Sequence, residues 1–125
     1  MTPRPSRTIV LITGAFISHH CWDQWIPFFE SNGFNVIVPP WPFKDDSPEA
    51  LRNQDLTGNI ATNRLSTIVA YFRDIVREQN EKPILIGHSI GGLIVQLLMQ
   101  EDLGSAGIAI HSVPPQGIMT FKLSF

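Results

Sequence analysis

Apolar and polar positions along the chain fall into two alternating kinds of stretch. Residues 8–13 (TIVLIT) form an unbroken apolar, β-branched run that Gly14 closes. A run without polar alternation suits a parallel strand covered on both faces. Trp22, Trp25, Ile26 and Phe29 then recur at i, i+3, i+4 and i+7, a helical stripe that Gly33 ends as a C-cap. Residues 34–38 read as a second strand, stopped by Pro39 and Pro40. From Trp41 to about Asn59 the pattern is polar and irregular, which predicts a surface loop with a short helix near residues 48–53. Leu65, Ile68, Val69, Phe72, Ile75 and Val76 give the clearest helical stripe. A third strand is predicted over residues 83–87 (PILIG), and Ile90, Leu93, Ile94, Leu97 and Leu98 mark a helix reaching about Glu101. A short fourth strand over residues 107–110 ends at His111, and beyond Ser112 no element is predicted.

Strand and helix alternate, and each helix is about long enough for a crossover. The expected fold class is therefore α/β: a mostly parallel sheet with helices on both faces. Ligands of such sheets sit at the carboxyl ends of the strands. Here those ends are residues 14–20, 39–43, 88–92 and 111–116.

Composition narrows the classes of function. A chain of 125 residues supports one domain and one core, and 43% hydrophobic against 16% charged residues is too apolar for a disordered chain. The net charge of −2, with no run of Lys or Arg, leaves no footprint for nucleic acid or an anionic membrane. A single cysteine, Cys21, excludes an internal disulfide and makes the cytoplasm the expected compartment. Arg4 and Arg7 ahead of an apolar run imitate a signal peptide. The run is too short to span a bilayer and Gly14 interrupts it, so residues 1–7 are read as a leader and 8–125 as the domain.

Candidate chemistry centres on Gly87-His88-Ser89-Ile90-Gly91, a G-x-S-x-G that follows one predicted strand and opens a helix. That setting defines a nucleophile elbow. The serine sits on a sharp, strained turn that lifts its hydroxyl above the sheet, and side chains at Gly87 and Gly91 would collide with chain passing close by. Gly92 is expected to let the helix approach its neighbours. A serine hydroxyl needs a base to take its proton and donors to hold an oxyanion. The backbone N–H of Ile90, at the helix N-terminus, is one expected donor. The second is the N–H of Ala15, with that of Phe16 as the alternative, in the Thr13-Gly14-Ala15-Phe16 turn.

With these residues in place, the chain resembles the N-terminal half of an α/β-hydrolase, nearest to small esterases related to plant methylesterases and hydroxynitrile lyases. The resemblance is carried by LITGAFISHHCWDQWIPFFESNGFNVIVP, ILIGHSIGGLIVQ and IAIHSVPP, and covers most of residues 8–116. It implies a serine hydrolase, an esterase-like acyl hydrolase with an ester-like small-molecule substrate, a covalent acyl-serine and no cofactor. Ser89 would be the nucleophile, with Gly14, Phe16 and His88 beside the substrate. Thr13-Gly14 stands where many members have His-Gly. The family's triad acid and histidine come after the serine on later strands, and neither Asp102 nor His111 occupies those positions. The expectation is a truncated domain lacking cap and C-terminal strands, whose chain alone has weak or no activity.

His19, His20, His88 and His111 all map to strand ends or the following loops, and no metal-ligand spacing joins them. His111 is the best substitute base, since its strand should neighbour that of Ser89. His88 is read as packing beneath the turn, and His19 and His20 as lining the pocket or facing solvent. Cys21 is read as a small buried residue between helix and sheet. Trp22, Trp25, Phe28 and Phe29 are read as helix packing, and Asp45, Asp46 and Glu49 as a solvated face. Two alternatives stand beside the hydrolase: a non-catalytic half-domain that associates with itself or another protein, and a lyase on the same scaffold. Open sheet edges and an uncovered face favour a homo-oligomer.

Overall fold

A computed structural model of the chain describes residues 6–14, 19–42 and 58–112. Among these, four strands lie side by side in the order β2-β1-β3-β4: β1 (Thr8–Ile12), β2 (Asn35–Ile37), β3 (Ile84–His88) and β4 (Ala106–Ile110). Every neighbouring pair is parallel, so each connection crosses from one end of the sheet to the other. A 3-10 turn (His19–Trp22) and helix α1 (Trp25–Ser31) join β1 to β2. Helix α2 (Gly58–Arg77) precedes β3, and α3 (Ile90–Gln100) joins β3 to β4.

Over β1 and β3 both faces of the sheet are covered, as their uninterrupted apolar runs require, whereas β4 is exposed over residues 106–109. Val10, Ile12 and Leu85 pack on one face against Phe72 and Val76 of α2 and Ile94 and Leu98 of α3. Ile9, Leu11 and Ile86 point to the other face, where Trp22 and α1 lie over them. Strand β1 is buried along its whole length, being flanked on both sides and covered above and below.

Several elements differ from the sequence expectation. The single stripe from Trp22 to Phe29 divides: Trp22 belongs to the 3-10 turn and is buried, whereas α1 begins at Trp25 and has no fully buried residue. Trp25 is 42% and Phe28 65% exposed, so neither packs as an ordinary core residue. Cys21 is exposed and not buried. Helix α2 starts at Gly58, inside the stretch read as irregular loop. Trp41, read as the first residue of that loop, lies in the core beside Phe72, their ring centroids 6.2 Å apart. The short helix expected near residues 48–53, and Asp45, Asp46 and Glu49, lie outside the described residues. No helix among the described residues is long and apolar enough to cross a membrane.

Candidate active site

The carboxyl end of β3 runs into α3 through one residue. Ser89 has φ 59° and ψ −122°, a combination that glycine accepts readily and an L-side chain does not. Its N–H donates to the Ile110 carbonyl at 3.0 Å, and its own carbonyl accepts from the Gly92 N–H at 2.9 Å. The turn is thus fixed from the sheet on one side and from α3 on the other. The Ser89 hydroxyl makes no capping hydrogen bond to α3, leaving the N-terminal amides of that helix uncapped by it.

The glycines show why the turn can be so tight. A Cβ at Gly87 would overlap the backbone of Gly91, and one at Gly91 would overlap the Ile12 carbonyl. The first turn of α3 therefore rests directly on the ends of β3 and β1. At Gly92 a Cβ would come 2.7 Å from that of Ser112, so the third glycine makes room for the chain leaving β4. Gln96 Nε2 donates to Ser112 Oγ at 2.7 Å and fastens that crossing.

Gly14 stands against the elbow from the β1 side. A Cβ placed on it would be 3.3 Å from Ser89 Cβ and 3.3 Å from the His88 carbonyl. Ala15 and Phe16, expected to follow it as oxyanion donor and substrate contact, lie outside the described residues. The sheet register ends with His88 opposite Ile110, and His111 is the residue that follows β4 at the same end of the sheet as Ser89. His111 has φ +45°, a second left-handed residue at this end of the sheet. The His88 and His111 rings meet edge to face with centroids 6.4 Å apart. His20 lies in the 3-10 turn, exposed, with Nδ1 3.2 Å from Asp23 Oδ2.

Asp102 sits at the wrong end of the molecule for this chemistry. It follows α3, an 11-residue helix, so it lies about 16 Å along the axis from the elbow. Its carboxylate accepts from Lys82 Nζ at 2.7 Å. Glu101 beside it is held by Arg73, whose Nε and second terminal nitrogen each donate at 2.9 Å. That guanidinium keeps the Glu101 carboxyl below its ordinary value, chiefly through the hydrogen bonds. Among the described residues no three His, Cys, Asp or Glu side chains converge as a metal site would require.

Two tryptophans near the site, Trp22, expected in helix packing, and Trp41, expected in a loop, bind Thr13 instead. The buried Trp22 indole donates to Thr13 Oγ1 at 3.1 Å, and the buried Trp41 indole donates to the Thr13 carbonyl at 2.7 Å. The one available signal was Trp41 itself, a large apolar residue between Pro40 and Pro42 in an otherwise polar stretch.

The geometry agrees with comparisons to known proteins. Residues 7–109 match the family described as alpha/beta hydrolase fold. Among solved structures, a variant of PytH, a pyrethroid hydrolase, matches at 25% identity and a TM-score of 0.64, over 87% of this chain and 41% of its own. An extracellular alpha/beta-hydrolase from a Paenibacillus species, described as homologous to Tobacco Salicylic Acid Binding Protein 2, matches at 23% identity and 0.65, covering 89% and 42%. Tomato Methylketone Synthase I matches at 22% identity and 0.66, covering 91% and 43%; at these last two identities the likeness is one of fold. No curated protein sequence matches significantly. The chain spans 41% to 43% of the length of these three structures. A parallel sheet in the order β2-β1-β3-β4, a strained serine between strand and helix, and a match from Arg7 to Ala109 lead to one assignment: the chain belongs to the α/β-hydrolase fold family.

Proposed function

We propose that this chain carries the nucleophile of a serine esterase acting on a small ester-like substrate. The observation behind this reading is Ser89 at φ 59° and ψ −122° between two glycines that admit no side chain. A relaxed helix start would need neither the strain nor the crowding, and strain of this kind concentrates at functional sites. In the proposed reaction Ser89 Oγ bonds to the acyl carbon while its proton passes to an imidazole. The carbonyl oxygen takes the displaced electron pair and is held by the N–H groups of Ile90 and Ala15. Collapse expels the alcohol, which takes the proton, and water then hydrolyses the acyl-serine by the same route. Gly14, Phe16 and His88 flank the substrate. Within this chain the imidazole is that of His111, which follows β4 and whose ring meets that of His88, the neighbour of Ser89.

Turnover by this chain alone is slow in this reading. The two acids downstream of Ser89, Glu101 and Asp102, lie at the far end of α3 on Arg73 and Lys82, so neither orients His111. A fluorophosphonate probe tests the serine: the Ser89 oxygen bonds to phosphorus and fluoride leaves. Labelling of the native chain that vanishes in Ser89→Ala is the expected result. An unlabelled native chain removes the nucleophile reading. Hydrolysis of a p-nitrophenyl ester should be weak, and a turnover near the common enzyme range of about 10 per second would overturn the view that this chain lacks a full triad.

A second reading, association through the sheet, is favoured by β4. Residues 106–109 are all exposed on this edge strand, and Ile108 presents half of its surface to solvent. Open ladder groups beside apolar surface invite a partner strand.

A further inference from the structure

Thr13 is completely buried, and it lies one residue past the last pairing of β1 with β3, Ile12 with Gly87. Its carbonyl therefore leaves the sheet ladder in a place where water does not replace a missing partner. Both of its oxygens are taken by indole N–H groups. Trp22, from the turn after β1, serves the hydroxyl, and Trp41, from the chain after β2, serves the carbonyl. Tryptophan is a donor only, so each bond has one possible direction. Helix α3 also approaches the Thr13 carbonyl, so closely that a Cβ on Gly91 would be 2.9 Å from this oxygen.

We infer that Trp22 and Trp41 are positioning residues that hold the Thr13–Gly14 peptide against the Ser89 turn. The peptide is planar and trans, so fixing the Thr13 carbonyl also fixes the opposite direction of the Gly14 N–H. Gly14 in turn borders the Ser89 turn so closely that a Cβ on it would stand 3.3 Å from that of Ser89. The inference rests on Ser89 as nucleophile for its catalytic meaning, while the clamp can be observed without any reaction. Ordinary core packing would need the bulk of the two indoles; this device needs their hydrogens.

The test separates bulk from hydrogen. Thr13→Val keeps shape and removes the Trp22 hydrogen bond, Trp41→Phe removes the other together with one ring of bulk, Thr13→Ser keeps the hydroxyl, and Trp25→Phe serves as control for the loss of an indole on the surface. The rate of fluorophosphonate labelling per folded molecule is read alongside thermal unfolding. Trp41→Phe and Thr13→Val should slow labelling on the order of tenfold, as a small misplacement near reacting atoms does, with Thr13→Ser and Trp25→Phe retaining the native rate. Native rates in all four variants would overturn the inference and leave the Ser89 reading standing. If the native chain is not labelled, the Ser89 reading fails and nuclear magnetic resonance decides the clamp. Indole protons of Trp22 and Trp41 should exchange more slowly than that of Trp25, and Thr13→Val should shift the amide signals of Gly14 and Ser89. Equal exchange of the three indoles, or unmoved amide signals, would end the clamp.

Discussion

Ser89 holds a backbone conformation that costs about 1–3 kcal/mol for a residue with a side chain. Glycine would remove that cost and add back about 0.5–1 kcal/mol of unfolded-state entropy. Ser89→Gly should therefore stabilise the chain by about 1 kcal/mol, read as a higher urea midpoint at unchanged slope, while abolishing fluorophosphonate labelling. A loss of stability would show that the turn is not strained. Glu81 offers a residue-scale effect of pH. The Arg7 N–H donates to its Oε1 at 2.9 Å and the Thr8 hydroxyl at 3.1 Å, which ties the start of β1 to the turn before β3. These bonds, the Arg7 N–H foremost, lower its carboxyl from the ordinary 4.5. The unfolded chain then takes up the proton first as pH falls. The stabilisation is complete above the ordinary value and lost as pH drops through the lowered one. Glu81→Gln should flatten this part of the acid limb in a stability–pH series, and an unchanged limb would deny Glu81 the role.

At the scale of elements, α2 brings Ile68, Val69, Phe72 and Val76 into the core on one face of the sheet. Phe72 is fully buried between Tyr71 and Trp41, at ring-centroid distances of 5.1 Å and 6.2 Å. Phe72→Ala should cost about 3–5 kcal/mol, since the fixed backbone around it cannot close the cavity. Chemical denaturation measures it, and a cost below about 1 kcal/mol would mean that α2 is loosely docked. The stripe of α2 from Leu65 to Val76 was legible because periodicity is a local property. Its start at Gly58 was not, because residues 58–64 carry no comparable stripe. The opposite failure occurs at α1, whose stripe promised a buried helix. Trp22 instead turns inward to Thr13, and α1 lies on the sheet with Trp25 and Phe28 turned to solvent.

At the scale of the whole molecule, β4 is an edge strand whose half-exposed Ile108 pairs in register with Ile86. Sedimentation should find a dimer or larger species, with Ile108→Lys shifting it toward monomer because a charge on an open edge opposes strand pairing. A monodisperse native monomer would refute association. What the amino-acid order alone determined was the alternation of strand and helix, the parallel sheet and the Gly87–Gly91 elbow. Each of these follows from side-chain period or from backbone sterics within a few residues. Only the tertiary structure decided that the His111 ring meets that of His88, that Asp102 ends on Lys82, and that Trp41, 28 positions further along the chain, serves the Thr13 carbonyl. Those partnerships depend on where separate segments cross. A hydrogen-bonding group has many possible partners along a chain, and packing selects among them.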